Sequence, residues 1–258
     1  MTFESSGRKD KIVVTGGTEG IGRAIALDLV GHGHDVVICA RSREKIQRTS
    51  LDRLFAYQLD LADLPAIGDF TYFSRAKLGT VNALILNAAV SGVFHPDEYT
   101  LRVNRDAQKI LIESMAPLLR ESHGRIVFLT SSQAHDQVSD NQAYGLTKRD
   151  VEMFLADFIE CEENKGIRAF SINPGPTDTR MHDEAVHQGG AEIAKRSTHL
   201  KEAGALRDPL IVGCIIAKIS LSGMRFNAET KKYDIPINNN EIVTISDENI
   251  AAEIKSIV

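Results

Sequence analysis

The eight residues TGGTEGIG, Thr15 to Gly22, constrain this chain more than any other stretch. Upstream lies a short β-branched run, Lys11-Ile12-Val13-Val14; downstream, Ile21, Ala24, Ile25 and Leu29 recur at helical spacing until Gly31 and Gly33 stop the pattern. The reading is strand, glycine turn, helix. Residues without a Cβ let the backbone approach a pyrophosphate, and the N–H groups at a helix start favour its negative charge. Gly16, Gly20 and Gly22 place the tight pair last, whereas the G-x-G-x-x-G fingerprint places it first. On this stretch alone, a glycine-rich turn without any ligand competes with the phosphate reading.

The same alternation continues along the chain. Val36 to Cys39, Phe55 to Leu59, Ala83 to Leu86, Ile126 to Thr130 and Ile167 to Ile172 are short apolar runs, with helical patterns over Thr100 to Arg120 and Gln142 to Asn164 between them. Strands that are apolar throughout, separated by helices, imply a parallel sheet buried on both faces and hence a three-layer, doubly wound α/β fold of Rossmann type. With 258 residues and 43% hydrophobic content, one core serves residues 1–258 as a single domain. Ligands of such sheets sit beyond the carboxyl ends of the strands. Those ends carry Thr15 to Gly22, Arg41, Asp60, Asn87-Ala88-Ala89, Ser131-Ser132 and Asn173-Pro174-Gly175, all polar or backbone-exposing.

A net charge of −5 with scattered Lys and Arg argues against a nucleic-acid partner, which requires a concentrated basic face. No apolar run suits a bilayer span or a secretory leader, so a cytoplasmic protein without a membrane partner is expected. Cys39, Cys161 and Cys214 share no metal-ligand spacing and read as buried thiols in a reducing compartment, with no metal site.

Tyr144-Gly145-Leu146-Thr147-Lys148 opens the later helix, and the four-residue spacing puts phenol and ammonium one turn apart on one face. Free tyrosine titrates near ~10, and a nearby cation is expected to lower that toward neutrality, as an acid or base requires. Ser131 or Ser132, at the end of the fifth strand, is placed to hydrogen-bond the same substrate oxygen.

At these residues the chain resembles the short-chain dehydrogenase/reductase family in its single-domain branch. Five motifs stand in that family's order: TGGTEGIG, Asp60 after the third strand, LNAA (Leu86 to Ala89, where the family usually has NNAG), a serine with YGLTK, and NPGPTDT (Asn173 to Thr179). The resemblance implies an oxidoreductase that interconverts a carbonyl and an alcohol by hydride transfer. It implies Tyr144 as the proton donor and acceptor, Lys148 on the ribose hydroxyls and lowering the Tyr144 pKa, Ser132 orienting the substrate oxygen, and Asn104 holding a water in a proton relay with Lys148. Gly16, Thr18, Glu19, Gly20 and Ile21 would contact the cofactor at the glycine turn, and Asp60 with Leu61 on the adenine side. Asn87, Ala88 and Ala89 would line the adenosine side of the crevice, and Pro174, Gly175, Thr177 and Thr179 the nicotinamide side. In place of the family's acidic ribose ligand stand Ala40 and Arg41, suited to a 2′-phosphate, so NADP(H) is favoured over NAD(H). Glu19 opposes that charge.

The family also implies a homodimer or homotetramer, although the 17 positions from Asn87 to Asn104 are short for it, so Ser91 to Tyr99 is expected to lack the first turns of the usual interface helix. Substrate contacts are expected from Gln133 to Gln142 and from a mobile lid at about residues 176–205, whose Arg180, His182, Asp183, Glu184 and His187 suit a polar small molecule. The tail after Gly223 ends in a helix that Ser246 can cap. A cofactor-binding scaffold with little turnover, an NAD-dependent alcohol or sugar dehydrogenase, and a nucleotide-sugar epimerase or dehydratase are the competing readings.

Overall fold

The computed structural model describes residues 9–49, 51–135, 141–227, 229–230 and 232–257. Seven strands run parallel in one sheet: β1 (Lys11–Thr15), β2 (Asp35–Ala40), β3 (Leu54–Gln58), β4 (Ala83–Leu86), β5 (Arg125–Leu129), β6 (Arg168–Asn173) and β9 (Ile242–Thr244). Their spatial order is β3-β2-β1-β4-β5-β6-β9, so the winding reverses between β1 and β4. A crevice opens at such a reversal. Successive β1 side chains point to opposite faces, and both faces are covered. Val13 joins Val37, Leu84, Phe128, Phe70 and Leu111 in one core layer, while Ile12 and Val14 join Ile25, Leu29, Ile38 and Ile216 in the other.

The first layer lies under α3 (Ile67–Leu78), α5 (Ala107–Ser122) and α6 (Gln142–Glu160). The second lies under α1 (Gly20–Gly31) and α9 (Pro209–Ser222), with α10 (Asp247–Ile257) beside α9. Short α2 (Arg43–Gln47) follows β2, its N-terminus capped by Ser42 accepting from the Lys45 amide at 3.3 Å.

Before α5, α4 (Asp97–Leu101) passes through one wide turn of π geometry, Arg102–Asp106, so that helix begins at residue 97 rather than at Thr100. The Ala107 N–H reaches back five residues to the Arg102 carbonyl. The segment expected to be a lid forms two helices, α7 (Arg180–Gln188) and α8 (Ala191–Glu202), packed on each other. Its two ends are paired: the Asp178 amide donates to the Arg207 carbonyl (2.9 Å) and the Arg207 amide to the Pro176 carbonyl (3.0 Å).

The six expected strands lie within one residue of their observed limits at each end; β2 gains a residue at both ends, and β6 is shifted by one. The seventh strand and an antiparallel hairpin, β7 (Met224–Asn227) with β8 (Lys232–Pro236), are additions. Ser246 does cap α10, in a reciprocal box: its hydroxyl accepts from the Asn249 amide at 3.3 Å while Asn249 Oδ1 accepts from the Ser246 amide at 2.6 Å. Of the three cysteines, Cys39 is buried, Cys214 half-buried and Cys161 exposed, the last because it stands just past the end of α6. Among the described residues no helix is long and apolar enough to cross a membrane.

Candidate functional site

A cavity of about 1090 Å³ opens along the carboxyl ends of the strands, across the β1–β4 reversal. Gly16 and Thr18 to Ile21 of the glycine turn, Arg41, Asp60, Leu61, Asn87 to Ala89, Ser132, Tyr144, Lys148, Pro174 to Thr177 and Thr179 all reach its wall. Of the residues expected for catalysis and cofactor binding, Asn104 alone does not.

At the centre, the glycine turn is folded tightly against β4. Gly16 and Gly20 have φ of +68° and +50°, which L side chains rarely adopt. A Cβ on Gly22 would stand 2.3 Å from both the Gly16 carbonyl oxygen and Asn87 Nδ2, so no larger residue fits without a shift. Asn87 staples the turn to β4: its Nδ2 donates to the Thr15 carbonyl at 2.9 Å, and the Asn87 and Ala88 amides both donate to Thr15 Oγ1 at 3.0 Å. The N-terminus of α1 has no side-chain cap and no acidic residue in its first turn. Its leading N–H groups therefore face the cavity without an internal acceptor, which fits a pyrophosphate.

On the β5–β6 side, Lys148 is 2% exposed and its Nζ donates to the Leu129 carbonyl at 2.7 Å. That ammonium lies 4.8 Å from the Phe128 ring centroid and 5.5 Å from that of Tyr144. Burial brings Lys148 down to about 7, with Glu152 opposing the fall, and pushes Tyr144 up to about 12. Burial moves Tyr144 in the direction opposite to the lowering expected from Lys148. Both groups lose hydration, and burial disfavours the ammonium and the phenolate alike.

Ser131 accepts from the Gln133 amide at 3.3 Å and caps the short 3-10 turn Ser132–Ala134, while Ser132 is exposed at the cavity wall. Asn104 is buried in the π turn and exchanges two hydrogen bonds with the Val90 main chain, accepting at 2.8 Å and donating at 2.7 Å. Its side chain thereby fixes the loop that follows Ala89. Gln108 adds to the same packing by donating to the Val103 carbonyl at 2.9 Å.

Three contributors to the site were invisible in the sequence. Lys45 forms an ion pair with Glu19, so the acid in the glycine turn is already matched by a cation. Tyr99 accepts from Arg41 NH1 at 2.9 Å and stands 3.4 Å from Asp60 Oδ1. Arg207 donates from NH1 to the Pro174 carbonyl (2.9 Å) and to the Ile245 carbonyl (2.7 Å), tying the loop after β6 to the C-terminal segment. Each of these contacts joins residues more than 25 apart, and no local pattern announces them.

Of the residues expected at the substrate end, Gln133, Asn141, Arg180, His182 and Glu184 line the cavity; His135, Gln142, Asp183 and His187 do not. Asp183 pairs with Lys201 and His135 with Glu152 instead. Asp136, Gln137 and Asp140 lie outside the described residues. Among the described residues no group of His, Cys, Asp and Glu could hold a metal ion.

Comparison with known proteins agrees with this geometry. A family model described as short chain dehydrogenase matches residues 10–189. Benzil reductase ((S)-benzoin forming) of Saccharomyces cerevisiae is 25% identical over 253 residues, covering 86% of this chain and 95% of that protein. Carbonyl reductase [NADPH] 3 of Homo sapiens is 31% identical over 178 residues, covering 59% of this chain and 63% of its own length. The crystal structure of the KRED1-Pglu enzyme is similar over 91% of this chain and 100% of that one, with a TM-score of 0.78 and 26% identity.

Proposed function

The chain belongs to the short-chain dehydrogenase family, whose members are NAD(P)-dependent oxidoreductases of carbonyl and alcohol groups, and on that premise we propose that it is an NADP(H)-dependent reductase of a small polar carbonyl compound with Tyr144 as its proton donor. The observation that carries this reading is the convergence of Ser132, Tyr144 and Lys148 on the same cavity wall as the uncapped start of α1. A scaffold that only binds a dinucleotide has no use for that trio.

The residues present fit the cofactor. The glycine turn with the first N–H groups of α1 would take the pyrophosphate, Asp60 the adenine, and Lys148 the nicotinamide ribose. When bound, the cofactor supplies the hydride. Everything else falls to this chain. With its phenol held up at about 12, Tyr144 is fully protonated at neutral pH and able to deliver a proton to the carbonyl oxygen. Ser132, exposed at the cavity wall, orients that oxygen by hydrogen bonding. Lys148 is positioned by the Leu129 carbonyl and neighbours the Tyr144 ring, where it steadies the phenolate left after proton transfer. Asn104 reaches the relay only through the Val90 loop that it fixes.

The preference for NADP(H) is supported by Arg41 at the end of β2 and by the neutralisation of Glu19 through Lys45. Arg180, His182, Glu184, Gln188 and Arg196 on the lid side of the cavity favour a hydrophilic substrate over a long apolar one. Homo-oligomeric assembly is part of the same proposal, by analogy with the family.

The test is NADPH consumption over a panel of polar ketones, α-dicarbonyls and keto-sugars, repeated with Tyr144→Phe. Loss of roughly 10²–10⁴-fold in turnover is expected, the weight of a positioned acid, with NADPH affinity nearly unchanged. A variant that turns over at the parent rate would remove Tyr144 from the chemistry.

A further inference from the structure

Resting on the NADP(H) reading, we propose that Tyr99 is a specificity-determining residue, which presents Arg41 to the cofactor's 2′-phosphate and links it to the carboxylate on the adenine side. Arg41 stands at the end of β2 and Asp60 just beyond β3, neighbouring strands whose ends form the floor of the adenosine half of the cavity. Tyr99 comes from α4, 58 residues away from Arg41 in sequence, and its hydroxyl lies between the two. Donors and acceptors are in order: Arg41 NH1 donates to the phenol oxygen at 2.9 Å, and the phenol proton points to Asp60 Oδ1 at 3.4 Å. Asp60 Oδ1 also accepts from the Ala62 amide at 2.9 Å, so the far end of the chain is anchored to the backbone. At the near end, Gln58 Nε2 donates to the Arg41 carbonyl at 3.2 Å. The His95 ring stands 4.8 Å from the Tyr99 ring, centroid to centroid, and supports it from the side.

The two cations at this end of the cavity differ in what holds them. Lys45 is matched by the full negative charge of Glu19. Arg41 is held by a neutral phenol and keeps its charge, with four of its five N–H donors unspent on Tyr99. A phosphate dianion should therefore be drawn to Arg41. A free arginine side chain gives up considerable rotamer freedom when it takes a fixed pose, and a partner that restrains it beforehand lowers that cost for the incoming ligand. The short connection between Asn87 and Asn104 is what brings Tyr99 here: α4 begins only ten residues past Asn87 and delivers its third residue to the groove.

The experiment is calorimetric titration of the full chain and of Tyr99→Phe with adenosine 2′,5′-bisphosphate and with 5′-AMP, which differ only in the 2′-phosphate. The wild type is expected to prefer the bisphosphate. Tyr99→Phe should lose roughly three- to tenfold of that preference, the weight of one exposed hydrogen bond to a charged group, and should bind 5′-AMP as before. If the variant keeps the full preference, Tyr99 has no part in reading the phosphate, while the NADP(H) reading stands. If both ligands weaken equally, the phenol merely packs, and the proposal is overturned. A wild type without preference for the bisphosphate sinks the NADP(H) reading itself, and the role of Tyr99 with it. Both ligands are nucleotide fragments, so no step depends on turnover.

Discussion

Lys148 offers a test of how this site treats charge that needs neither cofactor nor substrate. The side chain is 2% exposed, and its ammonium sits at about 7 against an ordinary 10.5. The folded chain thus disfavours the protonated form. Between about pH 7 and 10.5 the unfolded chain binds the extra proton, so stability attributable to this group rises with pH across that window and is lowest below it. At ~1.4 kcal/mol per unit of pKa, the whole effect is roughly 5 kcal/mol, of which about 3 kcal/mol falls between pH 7 and 9.5. Stopping at pH 9.5 leaves Tyr144, held at about 12, protonated throughout in the folded state. Lys148→Met keeps much of the buried volume and removes the titration. It also strips the Leu129 carbonyl of its donor, a cost of about 1–3 kcal/mol that does not vary with pH and so cancels from the comparison. Urea unfolding of both proteins, followed by circular dichroism at the two pH values, measures the difference of differences. The parent should gain about 3 kcal/mol more than the variant on going to pH 9.5. Parallel pH responses would mean that Lys148 stays charged inside the folded chain, with the Leu129 carbonyl and the Phe128 ring outweighing burial.

Other outcomes follow from the same geometry. Gly213→Ala on α9 places a Cβ 2.3 Å from that of Ala24 and 2.9 Å from the Ile25 amide nitrogen, so α1 and α9 must part. About 1–3 kcal/mol of lost stability is expected from overpacking, read as a fall in the urea midpoint with an unchanged slope. Arg41→Asp should reverse cofactor preference; a ratio of kcat/KM for NADPH and NADH that fails to move would withdraw Arg41 from cofactor choice. For the segment that carries α7 and α8, limited proteolysis should cut within residues 180–205 and slow down when NADPH is added. Cleavage confined to other regions and indifferent to NADPH would show that this segment does not close on the cofactor.

The parallel sheet was legible because its strands are buried on both faces, leaving unbroken apolar runs such as Ile12-Val13-Val14 and Val36-Val37-Ile38. β9 escaped notice for the opposite reason. It is three residues long, follows a polar Asn-Asn-Asn-Glu stretch, and owes its strand geometry to pairing with β6 rather than to its own composition. The lining of the cavity was legible too, since the glycine turn follows β1 and Tyr144 and Lys148 stand one turn apart at the start of α6. Their electrostatics were not. A Tyr and a Lys one turn apart suggest mutual stabilisation, yet the loss of hydration suffered by both depends on burial that spacing cannot reveal. Glu19 likewise read as repulsive until Lys45, 26 residues on, supplied its partner. The π turn at Asn104 left no mark either, because its residues would suit an ordinary α-helix equally well.

The paired ends of the segment from Thr177 to Arg207 bear on how it can move. Main-chain bonds between Pro176, Asp178 and Arg207 join its entry to its exit, and the Arg207 guanidinium ties that junction to Pro174 and to the first residues after β9. A loop with two separate anchors can slide, shear or bulge as each anchor yields. Here both anchors are one: the segment carrying α7 and α8 leaves and rejoins the body of the fold at a single junction beside the cavity. Any displacement of Arg180 and His182 at the cavity wall would be referred to that one junction, which the sheet and the C-terminal segment hold together.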